Sequence, residues 1–466
     1  MPRTLLAMAM AIAATSAMAQ PNTGWVLDEL ELTCGFAFKG YLVEENSLGA
    51  TFRIVSAPPG RPTVTLTSFF SKAEIKKLTK LADAERKILK DRLAEFDAAD
   101  RTARERLDGM TFEPAPWLGQ KNRAKLYASD RFELLSAAPD DLTKRAVLRL
   151  EQVYTAYARI MPPRHPASAT RIELAGTLDD YAEALKSSSL KVLNSAVYLP
   201  DENRIVCGSD LKRLGDELTK SRIHHEQQLV EADRAEKELR ELYKGAKGDQ
   251  KLELERFLAA IKMGRAKIAS AERENSREFD RSTRSLFAVL YHEAFHSYVA
   301  SSVYPPRTAD DIKAGKGTGE LPRWMHEGLA QLFEDPVFEA GELRVGHADP
   351  ARLKAVRAFL AKPGEAGLLP LAELLRSGKD QFVLAHVNQK EMTDRAYLTS
   401  WALAYALTFD RRIVGSASLD EYVSAVNTGI APVEAFEKLV GQDFIDFEKD
   451  WHAYLLRLQP DGTLKK

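Results

Sequence analysis

The stretch Leu286-Phe287-Ala288-Val289-Leu290-Tyr291-His292-Glu293-Ala294-Phe295-His296-Ser297-Tyr298-Val299 decides how the rest of the chain is read. It holds no Gly or Pro and is apolar on almost every side, which predicts one buried helix. Histidines at i and i+4 lie one turn apart on the same helical face. At that spacing both imidazoles reach a single tetrahedral metal ion. Glu293 projects from the neighbouring face, where a carboxylate can take a proton from a metal-activated water. Burying two His and a Glu together costs roughly several kcal/mol unless they pair with one another or bind a metal. The competing reading is a hydrogen-bonded core cluster.

A catalytic zinc site uses three protein ligands and leaves the fourth position to water. The segment Pro322-Arg323-Trp324-Met325-His326-Glu327-Gly328-Leu329-Ala330 offers two candidates, His326 and Glu327. One step along a helix turns a side chain by about 100°, so only one of them faces the ion. The segment resembles the second motif of the gluzincin metallopeptidases, a Trp-x-x-Glu-Gly-x-Ala helix whose Glu completes a His, His, Glu site. The order of elements from about residue 125 to 458 is similar to bacterial domains of the peptidase-MA-like group. In those, a later Tyr-x-x-Ser-Trp-Ala-Leu helix recurs, here Tyr397-Leu398-Thr399-Ser400-Trp401-Ala402-Leu403.

The resemblance implies one Zn2+ per chain on His292, His296 and Glu327, with Glu293 as general base. It gives Tyr397 a role as hydrogen-bond donor to the oxyanion; packing inside a C-terminal helical bundle is the alternative for that side chain. Gln331, one turn after Glu327, is a candidate to orient a ligand imidazole, with Glu334 as substitute. Gly328 and Ala330 are small enough to let their helix approach the His-bearing helix closely. Thirty residues separate His296 from Glu327, more than is usual in gluzincins, and the loop 301–320 is expected to absorb them, as a lid.

The implied fold class is α+β. A small β-barrel-like module (20–70) comes first, then a charged linker helix and loop (71–124), then a mainly helical gluzincin-like domain with a small sheet (125–460). Val, Thr and Phe alternate in 51–55 and 62–70, with turns at Gly35, Gly40, Gly49 and Pro58-Pro59-Gly60. Ser71 is read as the N-cap of the linker helix, and Pro114 and Pro116 as a loop. Strands are expected at 131–136 and 171–175, helices at 142–160 and 178–185. A hairpin is expected from 197–199 and 204–207 around Pro200-Asp201-Glu202-Asn203. Residues 210–282 are polar and rich in Glu, Lys, Arg, Ala and Leu, and read as an inserted hairpin of two helices of about 30 residues, or ~45 Å each. Its apolar seam is imperfect at His225 and Gln228, short of a strict coiled coil. The arm is either a solvated projection or a docking surface for a protein partner.

With 466 residues, the chain is long enough for two or three domains. Lys plus Arg is 66 and Asp plus Glu 67, a balance that excludes an electrostatic nucleic-acid or membrane binder. Residues 1–19 carry Arg3, an apolar core and Ala17-Met18-Ala19, the pattern of a signal peptide cleaved after Ala19. The expected location is periplasmic or secreted, with no later membrane span. Cys34 and Cys207 are the two cysteines and are free to pair in an oxidising compartment. There is no Gly-x-Ser-x-Gly elbow, Walker A loop or Gly-x-Gly-x-x-Gly. Two functions follow. One is an exported zinc metallopeptidase acting on peptide or protein substrates. The other is a periplasmic binding or scaffold protein that uses the arm and the β module, with a structural or vestigial metal site.

Overall fold

Alternating apolar residues build the first sheet. A computed structural model describes residues 25–465, apart from 48, 58–62, 167, 187–194, 209–210, 316, 340–341, 362–366, 379–381 and 383–389. The expected signal peptide and the Pro58-Pro59-Gly60 turn lie outside the described residues. The architecture is mixed α+β. The chain divides into two compact units, one of residues 1–109, 151–167 and 298–466, the other of 110–150 and 168–297.

In the first unit, β1 (Asp28–Leu32), β2 (Ala37–Glu45), β3 (Gly49–Ser56), β4 (Val64–Ser71) and β5 (Ile75–Thr79) form an antiparallel sheet in the order β4-β3-β2-β1-β5. Leu30, Leu42 and Phe52 form its core with Phe38 and Phe70. The barrel-like expectation is corrected: β4 and β5 stand at opposite edges, and among the described residues no ladder joins them. The Ser71 N-cap is corrected as well. The Ser-x-x-Glu pattern imitates a capping box, but here Glu74 accepts from the Ser71 amide and hydroxyl at 2.8 and 2.7 Å and closes the turn between β4 and β5. Helix α1 starts later, at Asp83, and runs to Gly109. Its Leu89 and Leu93 pack on Val55, Tyr41 and Trp25.

In the second unit a six-stranded sheet has the order β10-β11-β9-β8-β7-β6. Its members are β6 (Glu113–Trp117), β7 (Gln120–Ala128), β8 (Phe132–Ser136), β9 (Thr170–Ala175), β10 (Ala196–Leu199) and β11 (Arg204–Gly208). The loop expected at Pro114 and Pro116 is corrected: both stand in β6, an edge strand where a missing N–H costs no ladder bond. Helix α2 (Asp140–Ile160) follows β8, and α3 (Leu178–Leu185) follows β9. Strand β9 is parallel to both β8 and β11, while β10 pairs antiparallel with β11 and, among the described residues, stands at the edge of the sheet opposite β6.

The arm consists of α4 (Leu211–Leu242) and the first part of α5 (Asp249–Tyr298). Arg265 of α5 bridges to Asp233 at 2.7 Å and Glu236 at 2.5 Å, and His225 faces Glu272. The sequence reading placed a break near residue 283. The structure has none: the second arm helix and the His-bearing helix are one element of 50 residues.

The C-terminal part of the first unit opens with a π-helical turn, Val299–Val303, then α6 (Ala309–Lys313) and α7 (Arg323–Gln331). A two-strand ladder follows, β12 (Val337–Glu339) with β13 (Glu342–Arg344). Next come α8 (Pro350–Leu360), α9 (Leu371–Leu375), α10 (Lys390–Tyr405), α11 (Ala417–Asn427), α12 (Pro432–Val440) and α13 (Phe444–Arg457). Among the described residues no helix is long and apolar enough to cross a membrane. Cys34 is exposed and Cys207 buried, and no disulfide joins them.

Candidate metal centre

His292 and His296 occupy the last turns of α5, with ring centroids 4.6 Å apart and planes at 88°. His296 is 7% exposed; His292 is partly buried. Helix α7 supplies Glu327, 1% exposed. Of the two ligands that the residues alone left open, the group that gathers is His292, His296 and Glu327, each offering an atom within 4.8 Å of the others. Tetrahedral zinc with bonds of about 2.1 Å holds its ligand atoms about 3.4 Å apart. The chemistry of the donor set, two imidazoles and a carboxylate, fits such an ion.

Glu327 is not isolated. Arg323, one turn earlier on α7, forms an ion pair with it. Gln331, one turn later, donates to the Tyr397 carbonyl at 2.9 Å and the Glu327 carbonyl at 3.3 Å. The amide nitrogen therefore ties α7 to α10. Glu334, the substitute partner, pairs with Arg352.

Gly328 explains how α7 is seated. A Cβ there would lie 2.3 Å from the Ser400 carbonyl oxygen and 2.9 Å from the Ala404 Cβ. The small residue does serve a close helix approach, but its partner is α10 rather than the His-bearing helix. Tyr397, on the same α10, donates its hydroxyl to the Phe382 carbonyl at 3.0 Å and packs edge-on against that ring. An oxyanion role for Tyr397 requires that bond to be exchanged.

Glu293 accepts a hydrogen bond from the Tyr198 backbone N–H at 2.9 Å. Tyr198 lies in β10, whose backbone groups alternate between facing β11 and facing away. The Gly208 N–H bonds Ser195, so the even-numbered residues, Ala196 and Tyr198, direct theirs outward. A second tie follows one turn on. The Ser297 hydroxyl donates to Asn203 Oδ1 at 2.9 Å and lies 2.5 Å from the Thr170 hydroxyl. Asn203 holds the β10–β11 turn with φ of 43°, a left-handed conformation that Asn tolerates. Burial pushes the Tyr198 phenol up from its ordinary pKa, opposed by its bond to Ser297. The Tyr181 phenol on α3 is also pushed up, by burial first and then by the charges of Cys207 and Glu293.

Residues 287–421 match the family described as "Protein of unknown function (DUF1570)". That stretch contains His292, Glu293, His296, Glu327 and Tyr397. No curated protein and no solved structure matches the chain.

Sequence reasoning missed Arg323, the Tyr198 amide and the Asn203–Ser297 tie. The first had a signal: opposite charges four residues apart on a helix meet. The other two had none, since a backbone N–H pointing out of a strand leaves no mark in residue type.

Proposed function

We propose that this chain is an exported zinc-dependent metallopeptidase of the gluzincin kind, acting on peptide or protein substrates. The observation that carries the reading is the convergence of His292, His296 and Glu327, from two separate helices, beside Glu293. A Zn2+ held by those three residues would supply Lewis acidity to a water and to a scissile carbonyl. Glu293 takes the proton of the attacking water and returns it to the leaving amine. The Tyr198 N–H fixes one carboxylate oxygen of Glu293, which orients the other. Strand β10 offers an open edge where an extended peptide can pair, with the outward groups of Ala196 and the Tyr198 carbonyl as partners. In this reading the arm is a candidate protein-docking element, and export rests on the sequence of residues 1–19.

The test is Glu293→Gln in the mature protein with zinc content measured in parallel. The variant should keep about one zinc per chain and lose peptide hydrolysis by about 10²–10⁴-fold. Undiminished hydrolysis by that variant would refute the mechanism.

A further inference from the structure

Glu327 is almost fully buried, and a buried carboxylate needs a compensating charge. Arg323 supplies one through the ion pair on the same helix, with its side chain one-third exposed (33%) at the margin. When a divalent cation binds, the same carboxylate meets a second positive centre. Two cations that share one anion repel each other, and the repulsion is strong where water is scarce.

We infer that Arg323 is the resident counter-charge of Glu327: it stabilises the metal-free site and lowers the affinity of that site for the ion. The inference rests on the metal-site reading above and adds a control on it. Without Arg323 the buried Glu327 carboxylate of the empty site loses a compensating charge, which destabilises the metal-free chain. The loaded site loses less, because the ion replaces the missing charge. By linkage, unequal losses in the two states appear as tighter metal binding. A purely structural arginine would destabilise both states equally and leave affinity unchanged.

The experiment uses the mature chain, residues 20–466, with Arg323→Gln and Arg323→Lys. Gln keeps a hydrogen-bond donor and removes the charge; Lys keeps the charge. Zinc affinity is measured by competition with a chromophoric chelator, and melting is followed with and without zinc. Arg323→Gln should bind zinc about ten- to hundredfold more tightly than wild type and melt at a lower temperature when metal-free. Arg323→Lys should stay within about threefold of wild type, since the charge is retained. Equal or weaker zinc binding by Arg323→Gln overturns the role of Arg323. A wild-type chain that takes up no zinc overturns the metal-site reading itself, and the two failures are distinguishable in one data set.

Discussion

Replacing Gly328 with Ala sets two effects against each other, and their sizes decide the outcome. Ala in place of Gly inside a helix stabilises by about 1 kcal/mol through backbone entropy. Against that stands the new methyl group, 2.3 Å from the Ser400 oxygen and 2.7 Å from its carbonyl carbon. Those distances fall about 1 Å inside ordinary contact, and the obstacle is backbone inside α10, which no rotamer change can move aside. Overpacking of this kind costs about 1–3 kcal/mol, and a rigid neighbour puts it at the upper end. The net expectation is a loss of about 2 kcal/mol. Helix α7 must also retreat, and it carries Glu327 with it. A displaced Glu327 holds the ion less well, so zinc affinity should fall together with stability. Urea unfolding measures the first effect and chelator competition the second. An unchanged or raised urea midpoint would show that propensity outweighs packing here, and the account of how α7 is seated would be refuted.

Other expectations are more local. In native protein one thiol per chain, Cys34, should react with a disulfide reagent, and two in denaturant, because Cys207 is buried and burial pushes its thiol pKa up. Two fast thiols, or none, would contradict the structure. Glu74 is held below the ordinary glutamate pKa by its bonds to Ser71. A depressed folded-state value means stability present at neutral pH and lost as pH falls through that value, beginning below about 4.3. The acid limb of the stability profile should flatten in Glu74→Gln, and an unchanged limb would count against the turn. At Asn203, Ala should cost about 1 kcal/mol more than Gly, because Gly takes a φ of 43° without strain and Ala does not. Equal losses would assign the position to its hydrogen bonds alone.

The helices at 178–185 and 142–160 and the hairpin around Pro200–Asn203 were visible in the sequence because their signals are local: periodicity, caps and turn residues. The pair His292 and His296 proposed to bind the metal stood out for a similar reason, since the two lie a turn apart on one helix. What escaped was decided elsewhere in the fold. Ser71-Lys72-Ala73-Glu74 satisfies the rules for a helix start and for a tight turn equally well, and the five-stranded sheet chose the turn. Pro114 and Pro116 exclude a central strand but not an edge. The uninterrupted run of α5 agrees with the absence of Gly and Pro between residues 265 and 298; the change from polar to apolar composition marked a boundary that the backbone does not observe.

That continuity restricts how the arm can change. His292 and His296 sit at the end of a single helix that begins at Asp249. Every residue inserted into α5 ahead of them rotates the distal arm by about 100° about the helix axis relative to the imidazoles. Only insertions near whole numbers of turns, in steps of about 7 or 11 residues, restore the phase. Matching additions to α4 are needed to keep pairs such as Arg265 with Glu236. The reach of the arm is therefore quantised by helical pitch, and related chains with longer or shorter arms should differ from this one in those steps.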